Sequence, residues 1–284
     1  MIARDRFALN RSVCPTVDLE GFFELAARLD LRKVELRNDL PGGTLDGRTA
    51  AEVASLARAH RMSIITINAL QNFNVAARLP ALRRELEALL DVAAAIGCAA
   101  IILCPSHSQA DDRNRDTVIL ETVGALHAFR PLFEASGVMG FVEPIGLRSC
   151  SLRSLVEAQR AIREAGGSCY RIVYDTFHHF TGPDTDETVE RLYDASATGL
   201  VHVSGVARGV ASPVQLTDEA REMIGTDDLI GNAEQIERLE KKGYTGPVSF
   251  EPFSPEVHRL DQIRLEEAIR QSIETLRRGV HRQA

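Results

Sequence analysis

Short apolar runs recur along this chain at about 6–14, 33–37, 63–69, 99–105, 140–144, 171–176, 199–205 and 247–253. They are rich in Val, Ile, Leu and Phe and nearly continuous in hydrophobicity, as strands buried on both faces must be. Between them the period changes. Asp18 is followed by Leu19, Phe22, Phe23, Leu25, Ala26 and Leu29, a spacing that lines one face of a helix behind a residue suited to N-capping. Comparable patterns run over 49–60, 79–96, 116–135, 151–165, 184–195, 232–242 and 260–277. Short strands alternating with helices imply parallel pairing, with the helices covering the sheet. Eight such units in 284 residues predict an α/β fold, one (β/α)8 TIM barrel spanning 1–284 without a second domain. The longest irregular stretch, Ser204 to Ile230, falls between the seventh and eighth strands.

Composition changes the picture only by exclusion. Hydrophobic residues make up 44% and charged residues 26%, ordinary globular usage, so the information lies in position rather than bias. A net charge of −7 offers no basic footprint for nucleic acid or an anionic membrane. No apolar run approaches the roughly 20 residues of a membrane span. Met1 to Arg6 lacks the apolar core of a secretory signal. Cys14, Cys98, Cys104, Cys150 and Cys169 form no C-x-x-C pair and are odd in number, which suits reduced thiols. A cytoplasmic protein with a small-molecule partner is expected, free or as a homo-oligomer, and without nucleic acid or membrane. The chain has no G-x-G-x-x-G or Walker-type loop, so no nucleotide cofactor is expected.

Four ligand-type residues stand out against the apolar background, one in each of the last four strands. They are Glu143, Asp175, His202 and Glu251, separated by 32, 27 and 49 residues. Burying a carboxylate costs several kcal/mol unless it is paired or bound to a cation. The active face of such a barrel is the carboxyl end of its strands. Neighbouring strands lie about 4.8 Å apart, so four successive strand ends can surround one divalent ion. Three carboxylates and one imidazole make a hard site suited to Mn, Mg or Co, with Zn admitted by the histidine. Asn68 and Asn74 flank the third strand's end, and His107 follows the fourth, positions from which substrate hydroxyls can be bound. For the two asparagines, turn formation is the competing explanation. Glu35 and Arg37 on the second strand are expected to pair with each other inside the barrel.

Five segments carry a family likeness: Asn68-Ala-Leu-Gln-Asn-Phe-Asn74, Glu143-Pro-Ile-Gly-Leu-Arg-Ser-Cys150, Asp175-Thr-Phe-His-His-Phe180, Val201-His202 and Val248-Ser-Phe-Glu-Pro-Phe-Ser-Pro-Glu256. With them the chain resembles, over nearly its whole length, the xylose isomerase-like TIM barrel superfamily of sugar isomerases and epimerases. Within it the inosose (2-keto-myo-inositol) isomerases are most similar. The resemblance implies that Glu143, Asp175, His202 and Glu251 ligate a divalent metal and that Glu143 and Glu251 double as the catalytic proton-transfer pair. It implies that His178 hydrogen-bonds substrate oxygens. Arg208, six residues after His202, matches the spacing of a substrate-binding arginine in some epimerases of the superfamily.

The implied activity is metal-dependent isomerisation of an α-hydroxyketone through an enediol, with an inosose as leading substrate and a place in inositol or wider carbohydrate catabolism. Ketose 3-epimerase and hydroxypyruvate isomerase are the alternatives. Ser149 stands where some ketose 3-epimerases carry a glutamate, and Val203 to Gly209 is less acidic than the inosose isomerase pattern. The glycine-rich turn usual before the last helix is reduced to Ile224–Ile230. An endonuclease IV-like nuclease would need further histidines. This chain has Asn68 in its third strand and no D-x-H pair after His202, and its acidic balance opposes a polyanion. A non-catalytic sugar-binding barrel would not need all four ligand-type residues and His178 together.

Overall fold

The eight apolar runs become eight parallel strands in a computed structural model that describes residues 2–207, 209 and 212–279. They are β1 (Phe7–Asn10), β2 (Lys33–Arg37), β3 (Ser63–Leu70), β4 (Ala100–Leu103), β5 (Met139–Val142), β6 (Tyr170–Asp175), β7 (Thr198–Val203) and β8 (Val248–Phe250). Neighbours in sequence are neighbours in space, and β1 pairs with β8 through Leu9 opposite Phe250, which closes the barrel. Between and after the strands run α1 (Leu19–Arg28), α2 (Ala50–Ala59), α3 (Leu79–Ile96), α4 (Arg115–Ser136), α5 (Leu155–Ala165), α6 (Thr176–Thr181), α7 (Asp186–Leu192), α8 (Asn232–Lys241), α9 (Pro255–His258) and α10 (Gln262–Arg278).

Local chemistry sets the ends of these elements. Asp18 caps α1 by accepting from Gly21 N, and Thr49 and Glu52 form a reciprocal capping box on α2. α3 buries Leu82, Leu86, Leu90 and Ala93 along one stripe and stops at Gly97, whose φ of 71° disfavours other residues. Each buried leucine contributes about 1.5–3 kcal/mol of burial, so Leu86→Ala would cost about 2–5 kcal/mol.

Some expected boundaries move. β1 ends at Asn10, not 14, because the Asn10 side chain accepts from Ser12 N and starts a 3-10 turn at Arg11–Val13. The helix expected from 151 starts at Leu155 behind its cap Ser154. The one expected over 184–195 contracts to α7, since Tyr193 is already extended. α6 and α9 are too short to leave a periodic signal. The irregular stretch after β7 holds two 3-10 turns, Pro213–Gln215 and Asp218–Ala220, and a bridge between Gly205 and Glu222.

Side chains two apart on a strand share a face. Val173 and Leu200 therefore face inward, one step below Asp175 and His202. They pack with Ala69, Ile102 and Cys104 into an apolar plug that fills the barrel under the polar layer. All five cysteines are buried free thiols. Among the described residues no helix is long and apolar enough to cross a membrane.

Candidate metal centre

The register places the polar layer. Asp175 stands opposite His202 across β6 and β7, and Glu143 and Glu251 each lie one residue beyond β5 and β8. Each of the four offers one ligand atom within 4.8 Å of the others, and all four are buried. His202 Nδ1 is 2.9 Å from Glu143 Oε1, 3.1 Å from Glu251 Oε2 and 3.9 Å from Asp175 Oδ2. Two ligand atoms each roughly 2.0–2.2 Å from an ion stand about 3 Å apart at adjacent positions, so these separations suit a shared cation.

Each ligand-type residue is held by something else. Asp175 Oδ1 accepts from the backbone N–H groups of Phe177 (2.7 Å) and His178 (3.2 Å), which starts α6 and leaves Oδ2 facing the cluster. His202 Nε2 meets both oxygens of Glu35 at 3.2 and 3.1 Å. Glu35 in turn accepts from Thr66 Oγ1 (2.5 Å) and Asn68 Nδ2 (3.1 Å). A carboxylate on the far nitrogen of a ligating histidine fixes its tautomer and raises its basicity. Glu251 is gripped at both oxygens: Asn10 Nδ2 (3.0 Å) and Arg37 Nη1 (2.9 Å) donate to Oε1, and Arg221 Nη2 (3.0 Å) donates to Oε2. The same Arg221 nitrogen lies 2.6 Å from Asp175 Oδ2, and its guanidinium is flanked by Phe177 and Phe253.

These contacts perturb the titrations. Burial disfavours a charged His202, but Glu251, Glu35 and Glu143 overcome that and push its pKa well above the ordinary value. Burial also raises Glu143, and the nearby Glu251 adds to this against the pull of His202. Glu251 is driven the other way: despite burial, His202 and Arg221 hold it far below the usual carboxylate range. With carboxylates on both ring nitrogens, His202 carries both protons in the metal-free chain.

The donor set fits a divalent ion by charge as well as by distance. Asp175 and Glu251 pair with the guanidiniums of Arg37 and Arg221, while Glu35 and Glu143 pair with His202. Arg37 and Arg221 also pair with Asp39 and Asp218, so carboxylates outnumber guanidiniums around the cluster, a surplus of negative charge that a cation would offset.

Other expected residues separate. His178 reaches the cluster: it is buried, its Nε2 lies 4.0 Å from Asp175 Oδ2 and its Nδ1 has no partner. Gly146 permits this placement, since a Cβ there would fall 2.0 Å from the His178 carbonyl oxygen. Asn68 is buried at the site but spends its amide on Glu35. Asn74 instead braces loops, donating to Thr122 and Ser151 and accepting from Ser106 N. His107 is exposed and lines a cavity at the barrel mouth. Arg208 lies outside the described residues. The expected Glu35–Arg37 pair does not form, because alternate strand positions aim Glu35 at His202 and Arg37 at Glu251 and Asp39. Asn10 and Arg221 also belong to the cluster, and neither stands out in the sequence. The rule that strand ends build the site points to Asn10, whereas Arg221 sits in the irregular stretch after β7 with no motif around it.

Known proteins share this framework. The xylose isomerase-like TIM barrel family matches residues 23–279. A xylose isomerase domain containing protein from Salmonella typhimurium LT2 superposes with a TM-score of 0.89 and 37% identity, over 97% of this chain and 98% of that one. Inosose isomerase from Halalkalibacterium halodurans is 24% identical over 234 residues, 81% of this chain and 80% of its own. The IolI protein, solved with a binding zinc atom, shares the fold with a TM-score of 0.88 at 18% identity, over 97% of this chain and 99% of that one. The chain belongs to the xylose isomerase-like TIM barrel family.

Proposed function

We propose that this chain is a divalent-metal-dependent isomerase of a sugar or cyclitol α-hydroxyketone, with an inosose as the first substrate to try. The observation that carries the reading is the convergence of Glu143, Asp175, Glu251 and His202 Nδ1 on one buried point while Glu35 holds the opposite ring nitrogen. The inosose isomerase likeness and the zinc in the IolI structure support it. Glu143, Asp175, His202 and Glu251 would hold the ion; Mn, Mg, Co and Zn all suit three carboxylates and an imidazole.

A bound cation would polarise the carbonyl and hydroxyl of the substrate as a Lewis acid and stabilise negative charge developing there. Glu143 and Glu251 enter from β5 and β8, so one can remove the proton from the carbinol carbon while the other protonates the neighbouring carbon. Arg37, Asn10 and Arg221 keep the Glu251 carboxylate in one orientation through these transfers. His178, with its unpartnered Nδ1, would hydrogen-bond a substrate oxygen. The plug of Ile102, Val173 and Leu200 closes the barrel from below, and the cluster's own burial excludes bulk water from the proton-carrying groups.

The test is turnover by the metal-loaded protein on a panel of inososes, free ketoses and hydroxypyruvate, run in deuterated water. Proton transfer through an enediol predicts isomerised product with solvent deuterium on the reprotonated carbon. No turnover across the panel would remove the isomerase reading. Quantitative migration of a carbon-bound deuterium to the adjacent carbon, without solvent label, would replace proton transfer by a hydride shift.

A further inference from the structure

At the carboxyl end of the barrel, beside the metal centre, lies a cavity of about 1020 Å³ walled by the loops after β4, β5 and β7. None of the four metal-centre residues lines it, yet two chain segments join the two places. Residues 143–151 run from Glu143 to the cavity wall, and Asp218 on the wall pairs with Arg221, which touches Asp175 and Glu251. A molecule seated here is therefore adjacent to the cluster.

The charge in this cavity is unevenly satisfied. Arg113 is neutralised by Asp111 and Glu121, and Arg115 by Glu157. Among the described residues, two other guanidiniums have no carboxylate. Arg153, half-buried, donates among the described residues only to the carbonyl oxygens of Gly146 (2.9 and 2.6 Å) and Thr181 (3.4 Å), which leaves Nη1 without a partner among them. Arg148, exposed five residues earlier on the same loop, makes no hydrogen bond or ion pair among the described residues. The acid left over on the wall is Glu219, in the loop opposite. Burial lowers the pKa of Arg153, and the charge of Arg148 adds to that, so the two cations are close enough to oppose each other. Two guanidiniums on one cavity wall that no described carboxylate pairs with can receive an anion, and a guanidinium fork matches a carboxylate or a phosphate.

We propose that Arg148 and Arg153 bind the anionic substituent, a carboxylate or a phosphate, of the substrate whose hydroxyketone part reacts at the metal centre. This rests on the isomerase reading and narrows it: the substrate is an acidic or phosphorylated derivative rather than a neutral sugar or cyclitol. The Arg148 guanidinium offers an anion a charge-assisted bidentate contact, stronger than any hydrogen bond it could donate to a neutral hydroxyl.

Calorimetric titration of the metal-loaded full chain with inorganic phosphate, D-gluconate and neutral myo-inositol tests it. At least one of the two anions should bind saturably, at least about fivefold more weakly in Arg148→Ala and more weakly still in Arg148→Glu, with affinity falling as salt rises. Tighter binding of phosphate than of gluconate, or the reverse, identifies which anion the site was built for, and myo-inositol should show no dependence on Arg148. Both variants should melt like the wild type, since Arg148 is exposed and unpartnered. Absence of saturable anion binding, or equal binding in Arg148→Glu, as for an anion held by the cation itself, overturns the proposal. The isomerase reading is judged separately, by metal content and turnover of wild type on neutral ketoses and inososes, so one can fail while the other stands.

Discussion

The two halves of this barrel contribute different things to one site. β5 to β8 bring Glu143, Asp175, His202 and Glu251 together. β1 to β3 bring Asn10, Glu35, Arg37 and Asn68, which touch those residues or the groups that hold them. The first set supplies the four atoms that could hold a cation; the second fixes the orientation of the carboxylates and the imidazole that carry them. Glu251 shows the division most clearly. It comes from β8, but its Oε1 is set by Asn10 and Arg37 from the opposite side of the closure. A cluster of three acids and a histidine would repel itself without such partners, because unpaired buried carboxylates cost several kcal/mol each.

Experiments can break this division at either half. The largest effect is expected in the ligand half: Glu143→Gln and Glu251→Gln, assayed with metal restored, should each lower turnover about 10²–10⁴-fold. Near-normal rates in either would take that residue out of the proton transfer. Glu35→Gln probes the supporting half without replacing any of the four proposed ligands, and metal affinity measured against a chelating dye should fall about 10–100-fold. Unchanged affinity would reduce β1 to β3 to filling. His178→Ala should leave metal content alone and lower kcat/KM about tenfold, the order expected for one hydrogen bond to a buried polar group. Lost metal would instead make His178 a ligand.

The smallest signal is a proton. His202 is held charged in the metal-free chain, whereas a ligand imidazole must be neutral, so loading at pH 7 should release about one proton, measurable by calorimetry in buffers of different ionisation enthalpy. The same shift carries a stability sign. The folded pKa of His202 lies above its unfolded value of about 6.5. The stabilisation it gives is complete below that value and lost as pH climbs through the folded one. Metal-free protein should therefore melt earlier as the solution turns alkaline, a trend absent from the loaded form. A flat melting profile for the metal-free chain would contradict the charged His202.

The barrel and the four residues that converge at its end were both legible in the sequence for the same reason. Buried parallel strands are nearly all apolar, so one Glu, Asp or His at a strand end is conspicuous, and four in series imply a common purpose. The supporting residues gave no such contrast. Glu35 and Arg37 sit two apart on β2 and read as a local pair, but residues two apart point to the same face and reach across the barrel to different strands. Arg221 lies in a connection without periodicity, and only the folded chain brings it to Asp175 and Glu251. Asn74 had the residue type of a sugar binder, yet its bonds to Thr122, Ser106 and Ser151 are those of a loop brace. α6 was too short for a periodic signal, although Asp175 followed by Thr and Phe is the cap that starts it.

The central claim is that one divalent ion is held at the convergence of β5 to β8. Its most direct test is the metal-to-chain ratio by elemental analysis, after supplemented purification and dialysis, for wild type beside His202→Ala. About one ion per wild-type chain is expected, as a single four-ligand site requires, with little or none retained by the variant. A wild-type chain without Mn, Mg, Co, Zn or Fe, or a variant that keeps its full complement, would contradict the shared site.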